Sequence, residues 1–169
     1  MNVFLKAFFF LLSFTLFHFG YELTGFGVLK PFCGINESVF QHLKMAFWGY
    51  GLLTILEYWY LKGKKRFKQN GFWYSRVLSM VVVPWVVFLL WYIVPAVYGR
   101  INSLLPELIW AVLITYSSGL VVSAIEKDME RIEFRRGAGV SIITMLVVSA
   151  FLFTIFTYKL PWLDMFEIP

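Results

Sequence analysis

Five stretches of nearly unbroken apolar residues, separated by short polar interruptions, organise this chain. A helix needs about 20 residues to cross the hydrocarbon core of a bilayer. The pattern predicts spans over about 3–24, 45–61, 72–98, 101–125 and 138–158, the second preceded by a helical lead-in from near Asn36. Pro84 and Pro95 in the third stretch predict a kink or tilt there, and Pro106 falls in the first turns of the fourth. Thr115, Gly119 and Ser123 recur at four-residue spacing, a stripe of small residues that lets neighbouring helices approach closely.

The interruptions differ in character. Residues 25–44 form a short extracytoplasmic or re-entrant segment. Its part with Gly25, Gly27, Pro31, Cys33 and Gly34 is too apolar for an ordinary exposed loop, and irregular backbone at membrane depth needs cover from protein or a wet cavity. The first stretch has no small-x-small cleavage site, so an uncleaved first helix is expected rather than a signal peptide.

Composition strengthens the membrane reading. The chain is 60% hydrophobic with a mean hydropathy of +0.73, and only 15% of it is charged, against about a quarter in soluble domains. A soluble fold would have too little polar surface to cover its core. The net charge of +5 does not indicate nucleic acid, because the basic residues lie in short loops between apolar runs. With five alternating spans, eleven of the fifteen Lys and Arg residues fall on one side, including Lys6, the Lys62–Lys68 run, Arg76 and the Glu126–Arg136 segment. The expected architecture is therefore an all-α integral membrane bundle of about five helices forming a single domain, 1–169. Its N-terminus is inside and its C-terminus outside the cell membrane, and the bilayer is its main partner. A homo-oligomer remains open at this size.

Candidate chemistry gathers at the opposite, outer end. Ionisable groups within lipid are costly and mark function. His18 and Glu22 stand four residues apart on one helical face; the pair suits either a metal site or a simple hydrogen bond. Asn36, Glu37, Ser38 and His42 follow in N-E-S-V-F-Q-H-L-K. There Asn36 reads as an N-cap and Glu37 as a first-turn acid. Glu37 and His42 are five apart and share no helical face, so only a neighbouring helix bearing His18 and Glu22 could complete a ligand set. Tyr21, Asn36, Ser38, Arg100 and Glu107 are the surrounding candidates for substrate contacts. Arg100 also reads as a snorkelling charge near Asn102. Cys33, unable to form an intrachain disulfide, reads as an apolar filler. Glu57 is expected to pair with the Lys62–Arg66 cluster, and Glu126–Arg136 to form a short charged helix on the cytoplasmic surface.

The segments H-F-G-Y-E (residues 18–22) and N-E-S-V-F-Q-H-L-K (residues 36–44) resemble a family of small, uncharacterised bacterial multi-pass membrane proteins carrying H-F-x-Y-E and N-E-S-V-W-E-H-L-K. The resemblance covers about the first third of the chain. Phe40 and Gln41 depart from its Trp-Glu. It implies a shared polar site at His18, Glu22, Asn36, Glu37 and His42, and no reaction.

Four functions fit. His18, Glu22, Glu37 and His42 could hold a divalent metal such as zinc, with Glu37 or Glu22 as general base, in an enzyme acting on a lipid-like substrate. His18, Glu22 and Glu57 could be stations of a proton- or ion-coupled transporter. His18 and His42 could flank haem or a quinone. The polar set could also lock the packing of a non-catalytic scaffold or accessory subunit.

Overall fold

The computed structural model describes residues 1–62, 69–99 and 103–168. Among them it is all-helical: α1 (Val3–Thr24), α2 (Val39–Lys62), α3 (Gln69–Tyr98), α4 (Leu104–Met129) and α5 (Arg136–Tyr158), with single 3-10 turns at Gly27–Leu29 and Asp164–Phe166. Helices α1, α3, α4 and α5 are long and apolar enough to cross a membrane.

Helix α2 is different. Its 24 residues would extend about 36 Å, but it carries Gln41, His42, Lys44, Glu57 and Lys62. It can be more polar because protein surrounds much of it: Phe40, Leu43, Met45, Ala46, Phe47, Tyr50 and Leu53 are all buried. Helices α1 to α4 close into a ring in which α1 packs on α2 and α4, and α3 packs on the same two. Helix α5 lies outside this ring against α3. One end of α5 reaches α2, where Phe153 and Phe156 meet Phe40.

Small residues set the closest approaches. A Cβ on Gly119 would lie 3.1 Å from the Ala7 Cα and 2.9 Å from the Phe10 ring, so the predicted stripe is the α1–α4 seam. Outward faces are apolar: Leu105, Leu108, Ile109 and Val112 on α4 and Val140, Ile143, Val147 and Phe151 on α5 are exposed. Water would not tolerate such a surface, whereas lipid solvates it. The architecture is that of a membrane protein.

Three boundaries differ from expectation. Asn36 does not cap α2; its Oδ1 accepts the Ser38 N–H at 3.0 Å in a local turn. Helix α2 therefore starts at Val39, with the Ser38 carbonyl accepting the N–H groups of Gln41 and His42. Helix α4 runs past residue 125 to Met129 because Glu126 is buried, not solvated. The rest of the expected Glu126–Arg136 helix is turn and irregular backbone up to the start of α5.

Candidate functional site: a histidine–glutamate cluster

The site begins with the return of the chain after α1. Gly25 takes a left-handed conformation (φ 68°) and donates its N–H to the Tyr21 carbonyl, ending the helix. Lacking a Cβ, it does so without steric cost. A tight turn follows, in which the Leu29 carbonyl accepts from Phe32 and Cys33. The Gly34 N–H then donates to the Phe17 carbonyl at 3.0 Å. The segment has thus folded back along α1 to the level of His18. Gly34 leaves no space for a side chain, since a Cβ would lie 2.7 Å from the Met45 sulfur. Cys33 is buried, and burial pushes its thiol above the ordinary range. Its surroundings are those of a packed apolar side chain.

This return brings three donors together. His18 Nε2 and His42 Nε2 each lie 3.5 Å from the same Glu37 oxygen, Oε2. One ligand atom from each of the three residues falls within 4.8 Å of the others. The His42 Nδ1 lies 2.9 Å from the Ser38 carbonyl. A carbonyl only accepts, so Nδ1 carries the proton and Nε2 presents its lone pair to the cluster. The His42 ring stacks near Phe14 (6.3 Å, 26°) and Trp91 (6.1 Å, 19°), which fixes its plane. His18 sits 5.5 Å from His42, ring to ring, and packs against Phe19. Its Nδ1 is buried without a partner among the described residues. Glu37 is 62% exposed while the two imidazoles are about one-fifth exposed, so the cluster opens past its carboxylate.

Glu22 stays out of this group. It is exposed, on the last turn before Gly25, and Glu37 arriving from the returning segment supplies the carboxylate in its place. Tyr21 receives the Lys30 ammonium over its ring at 5.5 Å and so helps hold that segment. Asn36 and the buried Ser38 shape the turn through the bonds given above. Glu107 is half-buried in the first turn of α4. Arg100 and Asn102 lie outside the described residues.

Sequence reasoning missed two features. Lys44 is fully buried and donates to the Lys30 carbonyl (2.7 Å) and Thr157 Oγ1 (3.2 Å), tying the returning segment to α2 and α5. The second feature is an ionic cluster at the other end of the ring. Lys6 Nζ pairs with Glu57 Oε2 at 2.5 Å and also with Glu126. Arg76 contacts Glu57 (3.3 Å), Glu126 (3.4 Å) and, at the rim, Glu130 (2.8 Å). The Tyr50 hydroxyl donates to Glu126 at 2.8 Å. Glu57 therefore finds its partners across the helices at Lys6 and Arg76. Of its expected partners in the Lys62–Arg66 run, Lys62 lies over the Tyr58 and Trp59 rings, and residues 63–68 lie outside the described residues. The signal was present: Lys6, Glu57, Arg76 and Glu126 each lie within about two turns of the same end of four successive helices.

One family description matches residues 3–168, and so takes in both clusters. The chain belongs to the Family of unknown function (DUF6512). That description assigns its members no activity. No curated protein and no solved structure matches the chain. Chemistry is therefore argued from the two clusters themselves.

Proposed function

We propose that this protein binds a divalent metal of the zinc type through His18, Glu37 and His42, at the extracytoplasmic end of a five-span bundle in the cell membrane. The carrying observation is the convergence of two imidazole Nε2 atoms on one Glu37 oxygen, each at 3.5 Å. Tetrahedral zinc with ligands near 2.0–2.1 Å has ligand–ligand edges of about 3.3 Å, so these pairs need to move only slightly. The distances are longer than a good hydrogen bond. The Ser38 carbonyl on His42 Nδ1 is the outer hydrogen bond that metal-bound histidines use to fix their tautomer.

Three protein ligands leave a fourth position open, the arrangement of catalytic rather than structural zinc. A metal there lowers the pKa of bound water and polarises carbonyl or phosphoryl oxygens. His18 and His42 would hold it, and the exposed Glu37 would form the side from which a substrate approaches. The position on α1, about 9 Å inside its C-terminal end, and the apolar neighbours Phe14, Phe19 and Trp91 suit an amphipathic, lipid-like substrate. Glu22 is not in this ligand set.

Orientation follows the basic residues with one revision. Lys6 and Arg76 are buried in ion pairs and Lys44 is buried, so they are not free loop charges. Removing them leaves nine basic residues on the inner side against three on the outer, a bias that supports a cytoplasmic N-terminus. The transporter reading loses support because Phe10, Phe14, Ala46, Leu53, Val83 and Ile114 fill the core of the ring. Metal analysis of protein purified without chelator should give close to one zinc per chain, falling to background in His18→Ala and His42→Ala. A metal-free wild-type protein that takes up no added zinc would remove the proposal.

A further inference from the structure

Glu37 is the one ligand of the proposed metal site that no helix carries. His18 belongs to α1 and His42 to α2, whereas Glu37 precedes Val39 and arrives on the returning segment. Its side chain is 62% exposed, so little packing holds it. Where its carboxylate stands is set by the backbone path from Lys30 to Ser38.

Hydrogen bonds pin that path. The Ser38 N–H donates to Asn36 Oδ1, and the Ser38 carbonyl accepts the N–H groups of Gln41 and His42. The Gly34 N–H donates to the Phe17 carbonyl. Further back, the Lys44 ammonium donates to the Lys30 carbonyl at 2.7 Å and to Thr157 Oγ1 at 3.2 Å. The Thr157 hydroxyl proton is already given to the Phe153 carbonyl, so its oxygen accepts from Lys44. An ammonium taken wholly out of solvent, as Lys44 is, is costly unless hydrogen-bonded. Bonds from a charged donor are also roughly twice as strong as neutral ones. Lys44 therefore grips both acceptors at once. One acceptor belongs to the segment that bears Glu37. The other belongs to α5, which lies outside the ring of four helices.

We infer that Lys44 is a positioning residue of the metal site: by clamping the Lys30 carbonyl to Thr157 it holds Glu37 in place and makes this ligand depend on the seating of α5. The inference rests on the metal reading. Lys44 acts through the backbone of the segment, gripping it seven residues before Glu37.

The test uses the full chain in detergent. Zinc affinity is read by competition with a chromogenic chelator, and amide exchange is read on the metal-free protein. Lys44→Met keeps an unbranched side chain and removes the donors. It should weaken zinc binding about tenfold or more and speed exchange of the Gly34 amide by about the same factor. Thr157→Val removes only the α5 acceptor and should weaken zinc binding by less. It carries the test should Lys44→Met fail to fold. A double-mutant cycle separates positioning from general loosening. In a Glu37→Ala background, Lys44→Met should cost no further zinc affinity, because the ligand it places is gone. Wild-type affinity in Lys44→Met, or an equal loss with and without Glu37, would overturn the inference. So would unchanged Gly34 exchange. Wild-type protein that takes up no zinc would overturn both readings, and faster Gly34 exchange in Lys44→Met would then mark the metal reading, not the clamp, as the part that failed.

Discussion

The α1–α2 pair carries a polar cluster at each end, and the two are built in opposite ways. Lys6 and His18 are twelve residues apart on α1, about 18 Å along its axis. At the Lys6 end, two buried cations meet two buried carboxylates, and Tyr50 adds a hydrogen bond. At the His18 end, two imidazole nitrogens and one carboxylate oxygen face one another, and the carboxylate is largely exposed. A satisfied, charge-balanced cluster drawn from four helices specifies packing. Two imidazoles converging on one carboxylate oxygen at 3.5 Å, beyond a good hydrogen bond, are spaced as the proposed metal site requires. On the proposed function, the same helix pair is locked at one end and binds metal at the other.

The contrast breaks most visibly at Glu57. Glu57→Ala leaves Lys6 and Arg76 to share Glu126 in a buried site, which should cost about 3–5 kcal/mol. Thermal unfolding in detergent should show a large fall in midpoint, with the zinc content of the remaining folded protein unchanged. Tyr50→Phe removes one hydrogen bond to a carboxylate and should cost about 1.5–3 kcal/mol in the same measurement. Gly119→Val tests the seam between α1 and α4. Its side chain meets Ala7 and Phe10, and overpacking of this kind costs about 1–3 kcal/mol.

The histidine end should respond in the reverse sense. His18→Ala should abolish zinc binding yet change metal-free stability by only about 1 kcal/mol or less, because its buried Nδ1 has no partner to lose. Equal destabilisation by His18→Ala and Glu57→Ala would erase the distinction between the ends. The smallest effect belongs to Glu22→Gln. As an exposed residue outside the donor group, it should leave zinc content unaltered and shift stability within about 0.5 kcal/mol.

The apolar stretches made the helices legible in sequence, because lipid imposes a minimum length and excludes charge. The histidines and Glu37 were legible too, as unusual residues near one end. Their assembly was not. Helical spacing put Glu22 beside His18 and separated Glu37 from His42, but Glu37 precedes α2 and is delivered by the hydrogen bond from Gly34 to Phe17, a contact that no periodicity encodes. The ionic cluster was hidden for another reason. Near a membrane surface a lysine or arginine reads as a loop charge, and only the ring of four helices shows that Lys6 and Arg76 point inward.

X-ray absorption at the zinc edge of the loaded protein tests the metal proposal most directly. The account predicts a first shell of nitrogen and oxygen at about 2.0–2.2 Å with the multiple-scattering signature of two imidazoles, reduced to one imidazole or lost in His42→Ala. A shell of sulfur, or of oxygen alone with no imidazole, would contradict it.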